Sequence, residues 1–135
     1  MVTLEAILER NNLNRAYKQV KANRGGPGVD GMTVDELLDY LRAHAVEIVE
    51  TVKAGKFKPQ PVRRVMIPKE EKGKFRPLGI PTAVDRVIQQ AIAQKLSDEY
   101  EPVFSLHSHG FRPCRSCRTA IDEALDIANQ GYVWV

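Results

Sequence analysis

The chain has 135 residues, 43% apolar and 27% charged. That is one domain's length with enough apolar material for a core, and it excludes a disordered polar tail. The formal charge of +3 says little by itself, two cysteines are too few for a disulfide scaffold, and no apolar run approaches the roughly 18 residues of a membrane helix.

Met1-Val2-Thr3-Leu4-Glu5 lacks the basic cap and apolar run of a signal peptide. A soluble cytoplasmic protein, with no membrane partner, is therefore expected. Leu4, Ile7 and Leu8 form a short apolar stripe that Asn11-Asn12 interrupts. Leu13, Ala16, Tyr17 and Val20 form a second helical stripe, with Asn12 as its candidate N-cap. Asn23 through Gly31 holds four glycines and a proline and can be neither helix nor central strand. Thr33 and Glu36 make a capping box for a helix carrying Val34, Leu37, Leu38, Leu41, Ala45, Ile48 and Val49, which stops near Gly55.

Residues 61–68 and 74–81 then read as strands around a polar turn, Lys69 through Gly73. Prolines at 61, 68, 77 and 81 confine them to a sheet edge or to a protruding ribbon. Thr82, with Asp85 at N3, caps a helix with Val84, Val87, Ile88, Ala91, Ile92 and Leu96 on one face. Pro102 follows its end, and residues 105–114 read as a loop. Ser116 or Arg115 begins a last helix with Ala120, Ile121, Ala124, Leu125 and Ala128 inside. Gly131 closes it, and Tyr132-Val133-Trp134-Val135 reads as a strand cut short, since a bare apolar strand needs partners.

Charge is concentrated in one place. Residues 1–52 carry six basic and eight acidic side chains, residues 77–135 five and seven, and residues 53–76 nine and two. The middle block is therefore 9 − 2 = +7 inside a mildly acidic chain, an electrostatic footprint for polyanions. In the hairpin, Lys69 offers a mobile point charge and Arg76 a planar fork, both suited to phosphate oxygens. Arg63 and Arg64 point to opposite faces, so one of them shares a face with a given ligand. Gly25-Gly26-Pro27-Gly28 fits a GxxG phosphate clamp as well as a plain helix-to-helix turn, and it lacks the Lys-Ser/Thr ending of a Walker loop.

Other chemistries fit less well. His107, His109, Cys114 and Cys117 are zinc-competent in type, but no second Cys pair supports them and arginines sit among them. Packing and loop hydrogen bonds account for these residues more simply, and no metal site is expected. Asp30, Asp35 and Asp39, like Asp122, Glu123 and Asp126, read as capping or solvated carboxylates, with no catalytic pair among them.

Four ordered motifs carry a resemblance: Lys58-Pro-Gln-Pro-Val-Arg-Arg-Val-Met-Ile-Pro-Lys69, Phe75-Arg-Pro-Leu-Gly-Ile-Pro-Thr82, Asp85-Arg-Val-Ile-Gln-Gln-Ala-Ile92 and His107-Ser-His-Gly-Phe-Arg-Pro113. With Gly28-Val-Asp-Gly31 upstream, residues 13–135 resemble the N-terminal part of a bacterial group II intron-encoded reverse transcriptase, or maturase. The resemblance implies an α+β fold: the mainly helical fingers of a right-hand polymerase with a protruding basic antiparallel β-hairpin. Residues 1–131 would be fingers and 132–135 the first palm strand, ending before the first catalytic aspartate. This chain would then hold no catalytic residue and bind no metal, and the Mg²⁺ of the full-length enzyme would sit on carboxylates beyond it.

By the same resemblance Lys69, Arg76 and Arg63 are nucleotide-binding, with Arg63 near nucleotide or template. Ile80 and Pro113 would pack the templating base. Arg24, Gly25, Gly26 and Gly28 would belong to a lid over the template. The implied partners are RNA template, group II intron RNA, dNTP and a DNA primer, and the palm-facing surface is a candidate dimer face. The alternative function is an intron-RNA-binding module without polymerase activity.

Overall fold

The computed structural model describes residues 1–132, and the structure is α+β with five α-helices and one two-stranded antiparallel sheet. In order these are α1 (Leu4–Ile7), α2 (Arg10–Ala22), α3 (Leu37–Lys53), β1 (Arg63–Pro68), β2 (Phe75–Ile80), α4 (Ala83–Tyr100) and α5 (Cys117–Asn129), with a 3-10 turn at Glu101–Val103. No described helix is long and apolar enough to cross a membrane. The chain divides into two compact units, Met1–Leu96 and Ser97 onward. Of the strand read at the chain's end, only Tyr132 is described, exposed and without regular structure; residues 133–135 lie outside the described residues.

The first unit holds the core. Ala16 and Val20 of α2, Leu37 of α3, and Ala83, Val87 and Ala91 of α4 are buried together. Three of these six are alanines, and small side chains at contact positions let helices approach closely. Ile7, Leu13, Tyr17, Met32, Val34, Leu41 and Val84 pack around them, half-buried. Three expectations fail here. Asn12 is not the N-cap of α2. The helix begins at Arg10 behind Glu9, and Asn12 is buried inside it, donating to the Ile7 and Ala91 carbonyls at 2.8 and 3.0 Å. Ile92 and Leu96 are exposed, and the buried place on α4 goes to Gln94, whose amide donates to Asn12 Oδ1 at 2.9 Å. Ala45 of α3 is exposed; the apolar face of that helix lines an open groove of about 630 Å³ with Leu13, Tyr17, Val87 and Ile88.

The Thr82 cap forms as read, whereas the Thr33–Glu36 bonds form in the turn before α3, which begins only at Leu37 behind Glu36 and has no side-chain cap bond. Glu36 accepts from the Thr33 backbone N–H at 2.9 Å and hydroxyl at 2.7 Å, and those bonds, the backbone one foremost, hold its carboxyl below the usual glutamate range. Thr82 Oγ1 accepts from Asp85 N–H at 3.2 Å and donates to Asp85 Oδ2 at 2.8 Å. The hairpin also forms as read, with Arg63 opposite Ile80 and Pro68 opposite Phe75. The prolines and the absence of any third described strand leave it a free ribbon.

The second unit is built differently. None of its described residues belongs to the buried apolar core. Ser116 caps α5 in a box with Thr119, but Ile121 and Leu125 on the expected inner face are 59% and 56% exposed. A segment this short cannot enclose an apolar stripe. It is organised by polar bonds around Arg112, whose side chain is only 7% exposed. Arg112 Nε and Nη2 hold Glu101 Oε1 at 3.0 and 2.8 Å, Nη1 donates to the Ser105 and Ser108 carbonyls, and the guanidinium stacks 5.3 Å from the Phe104 ring centre.

Candidate nucleic-acid interface

The β-register decides which basic side chains share a face. Side chains alternate along a strand, so Arg63, Val65 and Ile67 of β1 face the same way as their partners Ile80, Leu78 and Arg76 of β2. Arg64, Met66 and Phe75 occupy the other face. Arg63, Arg76 and Ile80 are thus on one side of the ribbon, and Arg64 is on the other.

That shared face has two stations. At the tip, Lys69 N–H donates to the Lys74 carbonyl at 2.8 Å and closes the ladder. Lys69 and Arg76 there line a shallow basin of about 460 Å³ together with Pro68, Glu70 and Glu71. Glu71 pairs with Lys74, which offsets one of the two acids beside the two cations. Arg63 stands four residues down the strand from Ile67, about 13 Å away. It does not join the tip.

Arg63 instead belongs to the root, where the glycine-rich loop approaches. A Cβ placed on Gly26 would lie 3.5 Å from Arg63 Nη2, and one on Gly25 would lie 2.2 Å from Arg86 Nη1. Arg86 Nη2 donates to the Gly26 carbonyl at 2.9 Å. Gly28 has no room for a side chain, because a Cβ would meet the Thr82 Cα at 2.7 Å and its nitrogen at 2.8 Å. Arg24 enters the loop in the left-handed region at φ 47°. The structure therefore gathers Arg24, Gly25, Gly26, Gly28 and Arg63 at the root, with half-buried Ile80 opposite Arg63 on the strands. Pro113 lies in the second unit, directly after Arg112.

Several contributors escaped the sequence reading. Asp85 was legible as an N3 residue, but its carboxylate also accepts from Gln60 N–H at 3.0 Å. Arg86 stands inside the Asp85–Ile92 motif, but nothing in the sequence pointed to the Gly26 carbonyl as its partner. Glu123 is not merely a solvated carboxylate of α5: it accepts from His107 and, at 2.6 Å, from His109 Nε2. Hydrogen bonds from His107, then His109, hold its carboxyl below the usual range. His109 Nδ1 meets Thr119 Oγ1 at 2.9 Å, while Cys114 and Cys117 are exposed free thiols. Among the described residues no three His, Cys, Asp or Glu side chains are placed to hold a metal ion.

No protein-family model matches the chain. Individual relatives do. The group II intron-encoded protein LtrA of Lactococcus lactis subsp. cremoris is 43% identical over 106 residues, 78% of this chain and 18% of the relative. Protein YkfC of Escherichia coli K12 is 41% identical over 120 residues, 87% of this chain and 31% of the relative. An uncharacterized 91 kDa protein in the cob intron of Schizosaccharomyces pombe is 35% identical over 135 residues, 95% of this chain and 16% of the relative. The chain thus spans between 16% and 31% of the length of these curated relatives. With the basic hairpin and the glycine loop in place, these likenesses make the chain a member of the group II intron-encoded protein family.

Proposed function

We propose that the chain is the fingers part of an RNA-directed DNA polymerase, and that it grips template RNA and the incoming dNTP. The observation that carries this reading is the division of the basic face into two stations. Lys69 and Arg76 share a basin at the ribbon tip, a point charge beside a fork, which suits a triphosphate. Arg63 at the root lies beside Gly26 of the glycine-rich loop, and glycine lets backbone N–H groups approach a phosphodiester strand closely. On this reading Arg63 and Arg24 contact template, Ile80 packs the templating base, and the partners are RNA template, intron RNA, DNA primer and dNTP.

Polymerisation needs carboxylates that hold Mg²⁺. The described residues do not fit that ion, so no step through it is assigned to this chain. Two assays test the reading. Primer extension by the longer protein should demand tenfold to a hundredfold more dNTP after Arg76→Ala, about 1.5–3 kcal/mol of charge-assisted contact. The 135-residue chain alone should extend no primer. If Arg76→Ala weakens template binding and leaves the dNTP requirement unchanged, the tip reads RNA. That result would favour an RNA-binding module, the second function the +7 block serves.

A further inference from the structure

We propose that Arg86 is the positioning residue of the glycine-rich loop: it sets the loop's shape for RNA through the Gly26 carbonyl and touches no RNA itself. The proposal rests on the RNA-gripping role given above to the loop. Three independent observations carry it. Arg86 spans sixty positions of sequence to reach the Gly26 carbonyl at 2.9 Å. Its Nη1 fills the space that any side chain at position 25 would take, 2.2 Å from that Cβ position. Its Nε is buried with no hydrogen-bond partner, a cost that an apolar residue on this helix face would not carry.

The guanidinium is therefore wedged under the loop, with its charge and one fork committed to the loop backbone. The loop is fixed at two points. Gly28 is pressed against the Thr82 backbone, and Gly25-Gly26 rests on Arg86. Pro27, with its φ locked, joins the two. Arg24, just before these supports, is exposed, and Arg63 lies beside Gly26. Removing the wedge frees Gly25 and Gly26 to rotate, since glycine has wide conformational freedom, and disperses the cationic groups that the loop brings together.

The test uses the 135-residue chain, fluorescence anisotropy with a single-stranded RNA oligonucleotide at fixed salt, and amide hydrogen exchange without RNA. Arg86→Ala should weaken RNA binding about tenfold and speed exchange in residues 24–28. Gly25→Ala keeps every charge but drives the guanidinium off its seat, and should give the same two effects. The double variant should be no worse than the worse single, because both break one link. Arg86→Lys, which keeps a donor and a charge, should recover part of both. Additive losses, or a Gly25→Ala chain that binds RNA normally, would overturn the proposal. Where Arg86→Ala fails to fold, Gly25→Ala decides alone. If no form of the chain binds RNA, the functional reading fails while hydrogen exchange still reports whether Arg86 holds the loop.

Discussion

Gln94 and Asn12, eighty-two positions apart, form a buried amide pair that ties α4 to α2. Asn12 passes the link on to the Ala91 carbonyl at 3.0 Å. Asn12→Leu fills similar space but takes the nearer of two acceptors from Gln94 Nε2, which keeps only the backbone carbonyl of residue 12 at 3.2 Å, and a lost buried hydrogen bond costs about 0.5–1.5 kcal/mol. The urea midpoint of the first unit should fall accordingly. Asn12→Leu with Gln94→Leu should recover much of the loss, since replacing both partners removes the amide left short of an acceptor. A double variant as unstable as the single would mean that packing matters more than the amides.

Gly28→Ala should destabilise the first unit by about 1–3 kcal/mol. The atoms its Cβ would strike belong to the backbone of Pro81 and Thr82, the closest at 2.7 Å, so no side-chain rotation relieves the clash. Gly31→Ala meets no atom within 4 Å and bears only the strain of φ +72°, which makes it the milder comparison. Thermal melts of the two variants check the order.

Along the ribbon, Lys72→Ala should leave dNTP use by the longer protein unchanged, because Lys72 does not line the tip basin. Lys69→Ala should raise the dNTP requirement about tenfold. Arg76→Lys should not restore what Arg76→Ala loses, because the fork is gone. Equal losses at Lys69 and Lys72 would reduce the basin to a diffuse charge effect.

Arg112→Lys should unfold the loop of the second unit although it preserves charge. The guanidinium holds Glu101 through two nitrogens and two carbonyls through a third, and a single ammonium cannot span them. Breaking a pair this buried costs on the order of 3 kcal/mol. Hydrogen exchange at Ser108 and Arg115, whose amides close the loop's turns, should accelerate well before exchange at Val87.

The acid response of α5 has a definite sign. The Glu123 carboxyl is held below its ordinary 4.5 by His107 and His109. The unfolded state therefore binds the proton more readily. The stabilisation is complete above 4.5 and disappears as the pH falls through the lowered value. Glu123→Gln should remove that acid-side loss of helix signal by circular dichroism. A variant that loses helix in parallel with the parent chain would show that the histidine pair contributes nothing.

What could be read from sequence was local. Thr82 with Asp85, and Ser116 with Thr119, announce helix starts through bonds three residues long, Thr33 with Glu36 announces the turn that leads into α3, and the hairpin announces itself through proline spacing and a polar turn. Asn12 misled because its type suits a cap, whereas the amide of Gln94, far along the chain, gives it a buried use. The α5 stripe misled because periodicity states that a face is apolar but not that anything covers it. The partner of Arg86 was hidden for a related reason: it is a backbone carbonyl, which every residue has. Arg112 stood inside a recognised motif, yet only the fold shows its donors spent on the protein's own oxygens.

Both ends of the ribbon are fastened at one atom. Asp85 Oδ2 accepts from Gln60 N–H just before β1 and from the Thr82 hydroxyl just after β2. The two strands of the hairpin are thus tied at their neck through a single carboxylate oxygen. Thr82 is also the residue against which Gly28 is jammed. On the proposed reading, a triphosphate drawing Lys69 and Arg76 inward would load that neck, whose Thr82 is also in contact with the glycine loop. The two stations would then be mechanically in series, although no side chain of one reaches the other.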